Sequence, residues 1–162
     1  MDRFPEVGPA ETRSVKVTGD PHLPDGEYGF FEFYCNEPGC DCRRVTIWVL
    51  RPETGWRKVW ATISYGWESP DFYRKWSPGQ DPHEMQGASL DTLNAQSQYS
   101  SALLDLFQTV LISPGYVERL KRHYQMFRAS VDQAGGPRAR HEVNRLQSRR
   151  TRLRDPRRRG KR

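Results

Sequence analysis

The fold is decided by residues 28–50, which read YGFFEFYCNEPGCDCRRVTIWVL. Both flanks of this stretch are rich in the aromatic and β-branched residues typical of strands, and its centre holds the turn-forming pair Pro38-Gly39. Tyr28–Cys35 and Val45–Leu50 are therefore predicted to be two neighbouring strands. A third strand is predicted over Trp56–Tyr65, where apolar and polar residues alternate. Because the connections are short, these strands should form an antiparallel meander.

The residues around this sheet supply its helical cover. A short additional strand is predicted at residues 14–17, and residues 66–96 are predicted to be a long ordered loop with about one helical turn. Apolar residues recur with helical spacing from Ser97, and Ser113-Pro114 has the composition of a second helix start. The sequence thus predicts an α+β fold, a three- to four-stranded antiparallel sheet covered by two C-terminal helices.

Charge divides the chain into two parts. Residues 137–162 contain twelve Lys or Arg and two acids, a net charge of +10, and since the whole chain carries +6, residues 1–136 carry −4. A length of 162 residues fits one domain with an appendage. We therefore expect an α+β domain over 1–136, ended by Gly135-Gly136-Pro137, and an Arg-rich tail over 137–162 that is disordered alone or helical when bound.

The sequence favours a soluble intracellular protein. The first twenty residues contain no apolar segment of the kind found in signal peptides, and nowhere does an apolar run approach the ~20 residues that span a bilayer. The three cysteines cannot all pair within the chain, and they lie within eight residues, which favours thiolates in a reducing compartment. We expect a cytoplasmic location and no membrane partner.

The predicted turn between the first two strands gathers Cys35, Cys40 and Cys42. Thiolates are preferred ligands of Zn²⁺ in tetrahedral structural sites, so the sequence predicts a structural zinc ion at a knuckle-like hairpin. Reduced cysteines without a metal, or a redox switch, are the alternatives. A structural site needs a fourth ligand, and His22 is the first candidate because it precedes the first strand in an arm that could fold back. His83 is the second candidate, and Asp41 or water are further ones.

Catalytic signatures are absent from the sequence. The run that begins at His83 has glycine at position 87, where a zinc protease helix needs its second histidine. The cysteine spacing of four and one residues differs from that of zinc deaminases, and the chain has neither G-x-S-x-G nor a P-loop. A metal-dependent enzyme therefore ranks behind binding functions, and no catalytic residue is predicted.

The cysteine segment also carries a resemblance. His22–Tyr28, Glu32–Cys35 and Pro38–Val45, together with residues 90–97 and 116–124, are similar to a group of uncharacterised bacterial proteins related to proteins that carry a SEC-C zinc motif. The resemblance covers about residues 20–130 and implies a metal at the cysteines, without implying a reaction. This chain has no cysteine after Cys42 and therefore lacks the C-terminal SEC-C motif.

The tail is the strongest clue to a partner. Guanidinium groups match phosphate oxygens in paired geometry, so nucleic acid or a ribonucleoprotein is the expected partner, while a solvated tail without a partner is the plainer interpretation. The candidate contacts are Arg138, Arg140, Arg145, Arg149, Arg150, Arg152, Arg154, Arg157, Arg158 and Arg159. Trp48 and Trp60 could also face outward from neighbouring strands as a stacking surface, although such residues more often form core. A protein-interaction adaptor that uses this aromatic face or the loop at 66–96 is the alternative function.

Overall fold

The computed structural model of the protein describes residues 6–134. It is an α+β fold with a five-stranded sheet in which each strand pairs antiparallel with the next one along the chain. The strands are β1 (Arg13–Val17), β2 (Gly26–Phe33), β3 (Arg44–Leu50), β4 (Ala61–Gly66) and β5 (Gly87–Leu90). The helices are α1 (Val7–Glu11), α2 (Pro70–Trp76), α3 (Pro82–Met85), α4 (Ser100–Leu111) and α5 (Tyr116–Ala134), with a 3₁₀ turn at Pro52–Thr54.

The predicted fold class is confirmed, with one strand more than expected. The additional strand, β5, lies in the segment predicted to be a loop, which also holds α2 and α3. The strand predicted from Trp56 begins only at Ala61, because Gly55 and Trp56 both have positive φ and the chain cannot extend there. The end of α5 and the tail expected from residue 137 fall at or outside the limit of the described residues.

Helices α4 and α5 bury one face of the sheet. Tyr28, Phe30 and Glu32 of β2 lie on that face because side chains alternate along a strand. The core is formed by fully buried residues from the three central strands and from both helices, among them Ile47, Val49, Ile63, Leu103, Phe107 and Leu120. The odd-numbered aromatic residues of β2 therefore lie on the opposite face.

The sheet and α5 together position the cysteines. Phe33 pairs with Thr46 at the last rung of the β2–β3 ladder, so the chain between them must reverse direction at that end of the sheet. The reversal contains all three cysteines, and we call residues 34–43 the cysteine loop. Helix α5 reaches this loop with its C-terminal half, where Tyr124 accepts a hydrogen bond from the Arg43 amide and Arg128 donates to two loop carbonyls. Within residues 6–134 none of the helices combines the length and the apolar composition that a membrane crossing requires.

Candidate metal centre

The three cysteine side chains converge. The sulfur atoms of Cys35, Cys40 and Cys42 all lie within 4.8 Å of one another. Three thiolates around one tetrahedral zinc ion, each at about 2.3 Å, would be about 3.8 Å apart, a separation that lies within the limit observed for these sulfurs. Cys42 is buried, and the other two are half-buried. The predicted cluster of metal-ligating residue types is therefore present.

The backbone of the cysteine loop brings the sulfurs together through two changes of direction. The Cys40 amide donates to the carbonyl of Glu37 at 3.2 Å, which closes a turn around Pro38 and Gly39, and Gly39 takes the positive φ that glycine tolerates. Arg43 also has a positive φ, of 47°, which is unusual for a residue with a side chain. The Tyr73 hydroxyl supports that conformation by donating to the Arg43 carbonyl at 3.0 Å.

Two side chains of α5, Arg128 and Asp132, hold the loop from the helical side, and we call them the α5 clamp. Arg128 Nη1 donates to the carbonyls of Cys35 at 3.2 Å and Glu37 at 2.8 Å. Its Nη2 donates to Asp132 Oδ1 at 2.7 Å, and the same oxygen accepts from the amide of Gly39 at 3.1 Å. Arg128 is buried, so these backbone carbonyls satisfy donors that water cannot reach.

Electrostatics within the cluster favours a cation. Burial, followed by the nearby Cys42 and Cys35 sulfurs, raises the pKa of the Cys40 thiol to about 12. Burial also raises the pKa of Cys42. Several negative charges in one partly desolvated place repel one another, whereas a divalent ion would stabilise all three thiolates at once. The arrangement therefore fits a bound metal better than it fits isolated reactive thiols, whose pKa values are lowered.

The structure does not bring the predicted fourth ligands to the sulfurs. His22 is exposed and precedes β2, whereas Cys35 follows β2, and the eight residues of that strand span about 26 Å. His83 is exposed on α3 and does not belong to the cluster. The Asp41 carboxylate is engaged by Arg43, at 2.9 and 3.0 Å, and by the hydroxyl of Tyr124. Among the described residues, the cluster consists of the three cysteines.

A buried ionic cluster lies beside this centre. His123 Nδ1 is 2.7 Å from Glu32 Oε2, and its Nε2 is 3.1 Å from Glu11 Oε2. The Tyr34 hydroxyl donates to the same Glu32 oxygen at 2.8 Å. From its position on the predicted helix, His123 is expected at the surface or packed against neighbouring side chains. The structure shows that it joins α5 to β2 and α1. Glu32 could have indicated this contact from the sequence, because it follows Tyr28 and Phe30 at alternate positions and therefore lies on the buried face of β2.

The predicted nucleic-acid contacts fall mostly outside the part of the chain that the structure describes. All ten tail arginines, Arg138 to Arg159, lie beyond residue 134. Trp48 lies on the face of the sheet opposite α4 and α5, as predicted, and is 36% exposed. Trp60 does not share that face; its ring stacks on Tyr99 with centroids 5.2 Å apart and packs against the core.

Trp48 and Trp56 each contact a phenylalanine of β2. Its ring centroid is 4.3 Å from that of Phe33, and Phe31 meets Trp56 at 5.5 Å. Trp56 is 40% exposed. We call Phe31, Phe33, Trp48 and Trp56 the aromatic stripe.

Comparisons of the chain with protein-family models, with curated proteins and with solved structures found no match in any of the three. The functional interpretation therefore depends on the geometry and charge of the chain itself. The strongest functional feature among the described residues is the convergence of three cysteine sulfurs in one loop.

Proposed function

We propose that this chain is a non-enzymatic module with a structural zinc ion, which binds nucleic acid or a ribonucleoprotein through its basic tail. The zinc part of this proposal is supported by one observation: the sulfur atoms of Cys35, Cys40 and Cys42 all lie within 4.8 Å of one another. Zinc is the metal of choice because it has no redox chemistry, accepts thiolate ligands and takes the tetrahedral geometry that a compact loop can supply.

A structural role is supported by the way the loop is held. Its backbone receives hydrogen bonds from Tyr73 on one side and from Arg128 on the other, so the sulfurs are fixed relative to both the sheet and α5. An ion at this point would link three residues of one loop, and structural ions of this kind contribute folding free energy directly. The site would then stabilise the domain that carries the tail.

Metal content tests this half of the proposal. The full chain should contain one zinc ion per molecule when purified without chelators, as measured by elemental analysis. Cys40→Ser should lose the ion and unfold at lower denaturant concentration, because one of three thiolates is gone. Asn36→Ser is the matched control, since it introduces the same residue in the same loop at an exposed position that has no thiol. A folded wild-type protein without metal, or full zinc content in Cys40→Ser, would refute the structural site.

The second half of the proposal is supported by charge. The tail carries +10 and the rest of the chain −4, so attraction to a polyanion would be concentrated in the last 26 residues. Replacing Arg149, Arg150, Arg157, Arg158 and Arg159 with glutamine in the full chain should weaken binding to nucleic acid. It should also flatten the plot of log K against log salt by up to about 0.9 for each phosphate that the tail no longer neutralises. Unchanged affinity and slope would remove the tail from the mechanism.

The exposed aromatic stripe favours a second candidate, a protein-interaction adaptor. Two tryptophans of the stripe are more than one third exposed on a sheet face that α4 and α5 leave open. Aromatic side chains are enriched at protein interfaces. Pull-down from a nuclease-treated lysate separates the candidates, because a protein partner of the stripe should survive the nuclease and should be lost in Trp48→Ala. A partner retained by Trp48→Ala, or lost with the nuclease, would contradict the adaptor.

A further inference from the structure

Hydrogen bonds with α5 are made at or next to each of the three cysteines. Cys35 makes the bond with its own carbonyl, whereas Cys40 and Cys42 are held through neighbouring residues. The carbonyl of Cys35 itself accepts a hydrogen bond from Arg128, at 3.2 Å. Gly39, which precedes Cys40, donates its amide to Asp132 at 3.1 Å.

Cys42 is held through the residues on both sides of it. Tyr124 donates its hydroxyl to Asp41 at 3.2 Å and accepts the amide of Arg43 at 3.4 Å. The three α5 residues that make these contacts with the cysteine loop are spaced by four along one face of the helix.

The two halves of α5 are anchored differently. Tyr116 and Leu120, in the first half, are buried in the main hydrophobic core. From Tyr124 onward, five hydrogen bonds join α5 to the cysteine loop, between residues 81 to 93 positions apart in sequence. The C-terminal half of the helix therefore depends on the conformation of that loop, and the loop depends on the helix.

We propose that Tyr124, Arg128 and Asp132 are positioning residues of the metal site, and that metal binding and docking of the C-terminal half of α5 are coupled. The inference rests on the proposed structural metal and adds to it the regulation of that site. Outer groups that orient metal ligands typically contribute a factor of about 10–100 in metal affinity. Because linkage is reciprocal, the metal stabilises the docked helix by the same factor by which docking raises metal affinity.

The coupling has a consequence for the tail. The described part of α5 ends at Ala134, and the basic segment begins three residues later in the sequence. A metal that stabilises the docked helix would therefore act on the element from which the segment with +10 charges continues, without any contact between the metal and a polyanion. Nucleic-acid affinity should accordingly fall when the metal is removed.

Cobalt binding to the full chain tests the positioning role. Co²⁺ bound to thiolates gives a strong charge-transfer absorption, and its dissociation constant can be measured by competition with a chromophoric chelator. Arg128→Lys keeps the positive charge and loses the forked donors, so Co²⁺ affinity should fall about 10- to 100-fold. Arg122→Lys is the control: it lies on the same helix, is paired with Glu11 and has no hydrogen bond to the cysteine loop, so affinity should not change. Asp132→Asn is a milder second variant, since that carboxylate is half-exposed, and it should weaken Co²⁺ binding in the same direction.

Hydrogen exchange of the wild-type protein tests the coupling. Removing the metal with a chelator should speed amide exchange in residues 124–134 more than in residues 116–121, which the core holds. Wild-type Co²⁺ affinity in both Arg128→Lys and Asp132→Asn would overturn the positioning role. Equal exchange in residues 124–134 with and without metal would overturn the coupling. A wild-type chain that gives no thiolate absorption with Co²⁺ would instead refute the metal site itself, so the two failures are distinguishable.

Discussion

Replacing His123 with glutamine should lower the free energy of unfolding by about 2 kcal/mol at pH 5.5, and by less at pH 9. The Glu32 side chain is 7% exposed, and its shortest contact is the 2.7 Å one with His123. Without that contact, Glu32 keeps the Tyr34 hydroxyl at 2.8 Å and Arg119 at 3.9 Å, so it is not left without a partner. A hydrogen bond to a buried charged group contributes roughly 1.5–3 kcal/mol, and glutamine replaces it with an uncharged donor at most.

The pH dependence follows from the direction of the pKa shift. The hydrogen bond to Glu32 raises the pKa of His123 above its ordinary value, with burial opposing and Glu11 assisting. Arg119 and Arg122 on α5 are the cations that face the same carboxylates. Since the folded protein binds the proton more tightly than the unfolded chain, the charge-dependent stabilisation is complete below about pH 6.5. It is lost as the pH rises through the folded pKa of His123.

Urea denaturation of the wild type and His123→Gln at both pH values measures the effect. Loss of metal at low pH would affect both proteins, so the difference between them isolates the histidine. Arg122→Gln is the control, because this residue pairs with Glu11 in an exposed position and should show little change at either pH. A deficit for His123→Gln that is equal at both pH values, or larger at pH 9, would refute the reasoning.

Three further predictions concern the metal and its support. Zinc affinity, measured with a buffered chelator, should rise with pH because ligation removes protons from thiols such as Cys40, whose pKa is about 12 without a metal; an affinity independent of pH would contradict thiolate ligands. His22→Ala should leave the visible spectrum of the Co²⁺ form unchanged, because the length of β2 separates that residue from the cysteine loop; a changed spectrum would restore His22 as the fourth ligand. Gly66→Ala should cost about 1–3 kcal/mol in thermal unfolding, because the added methyl group would collide with the backbone carbonyl of Met85 and with the Tyr73 hydroxyl that supports the loop; wild-type stability would show that neither contact constrains this position.

The sheet could be predicted from the sequence where local signals are strong. β2 and β3 combine aromatic and β-branched residues with a Pro-Gly turn, and they begin and end within two residues of their predicted limits. β5 escaped prediction because Gly87–Leu90 is short, has little strand propensity, and is formed by pairing with β4. Such a strand is specified by its partner and not by its own residues.

The candidate site shows the same division between local and long-range information. The three cysteines lie close in sequence on one turn, so their convergence could be predicted. The expectation for His22 depended on how an arm folds back, and the register of β1 with β2 places that residue near the far end of the sheet. Arg128 could not be identified as a partner of the cysteine loop, because it is 93 residues away from Cys35 and has the spacing of an ordinary helical surface residue.

The length of the cysteine loop gives a physical reason for a metal at this point of the fold. Residues 34–43 form a connection well beyond the two to five residues that most hairpins use, and ordering each additional residue costs conformational entropy. Hydrogen bonds from α5 restrain the loop backbone, but they leave three thiols gathered in a partly buried place where ionisation of one opposes ionisation of the next. A divalent ion would remove that repulsion and restrain the side chains as well. Loop, helix and ion would then form one cooperative unit, in which loss of any member weakens the other two.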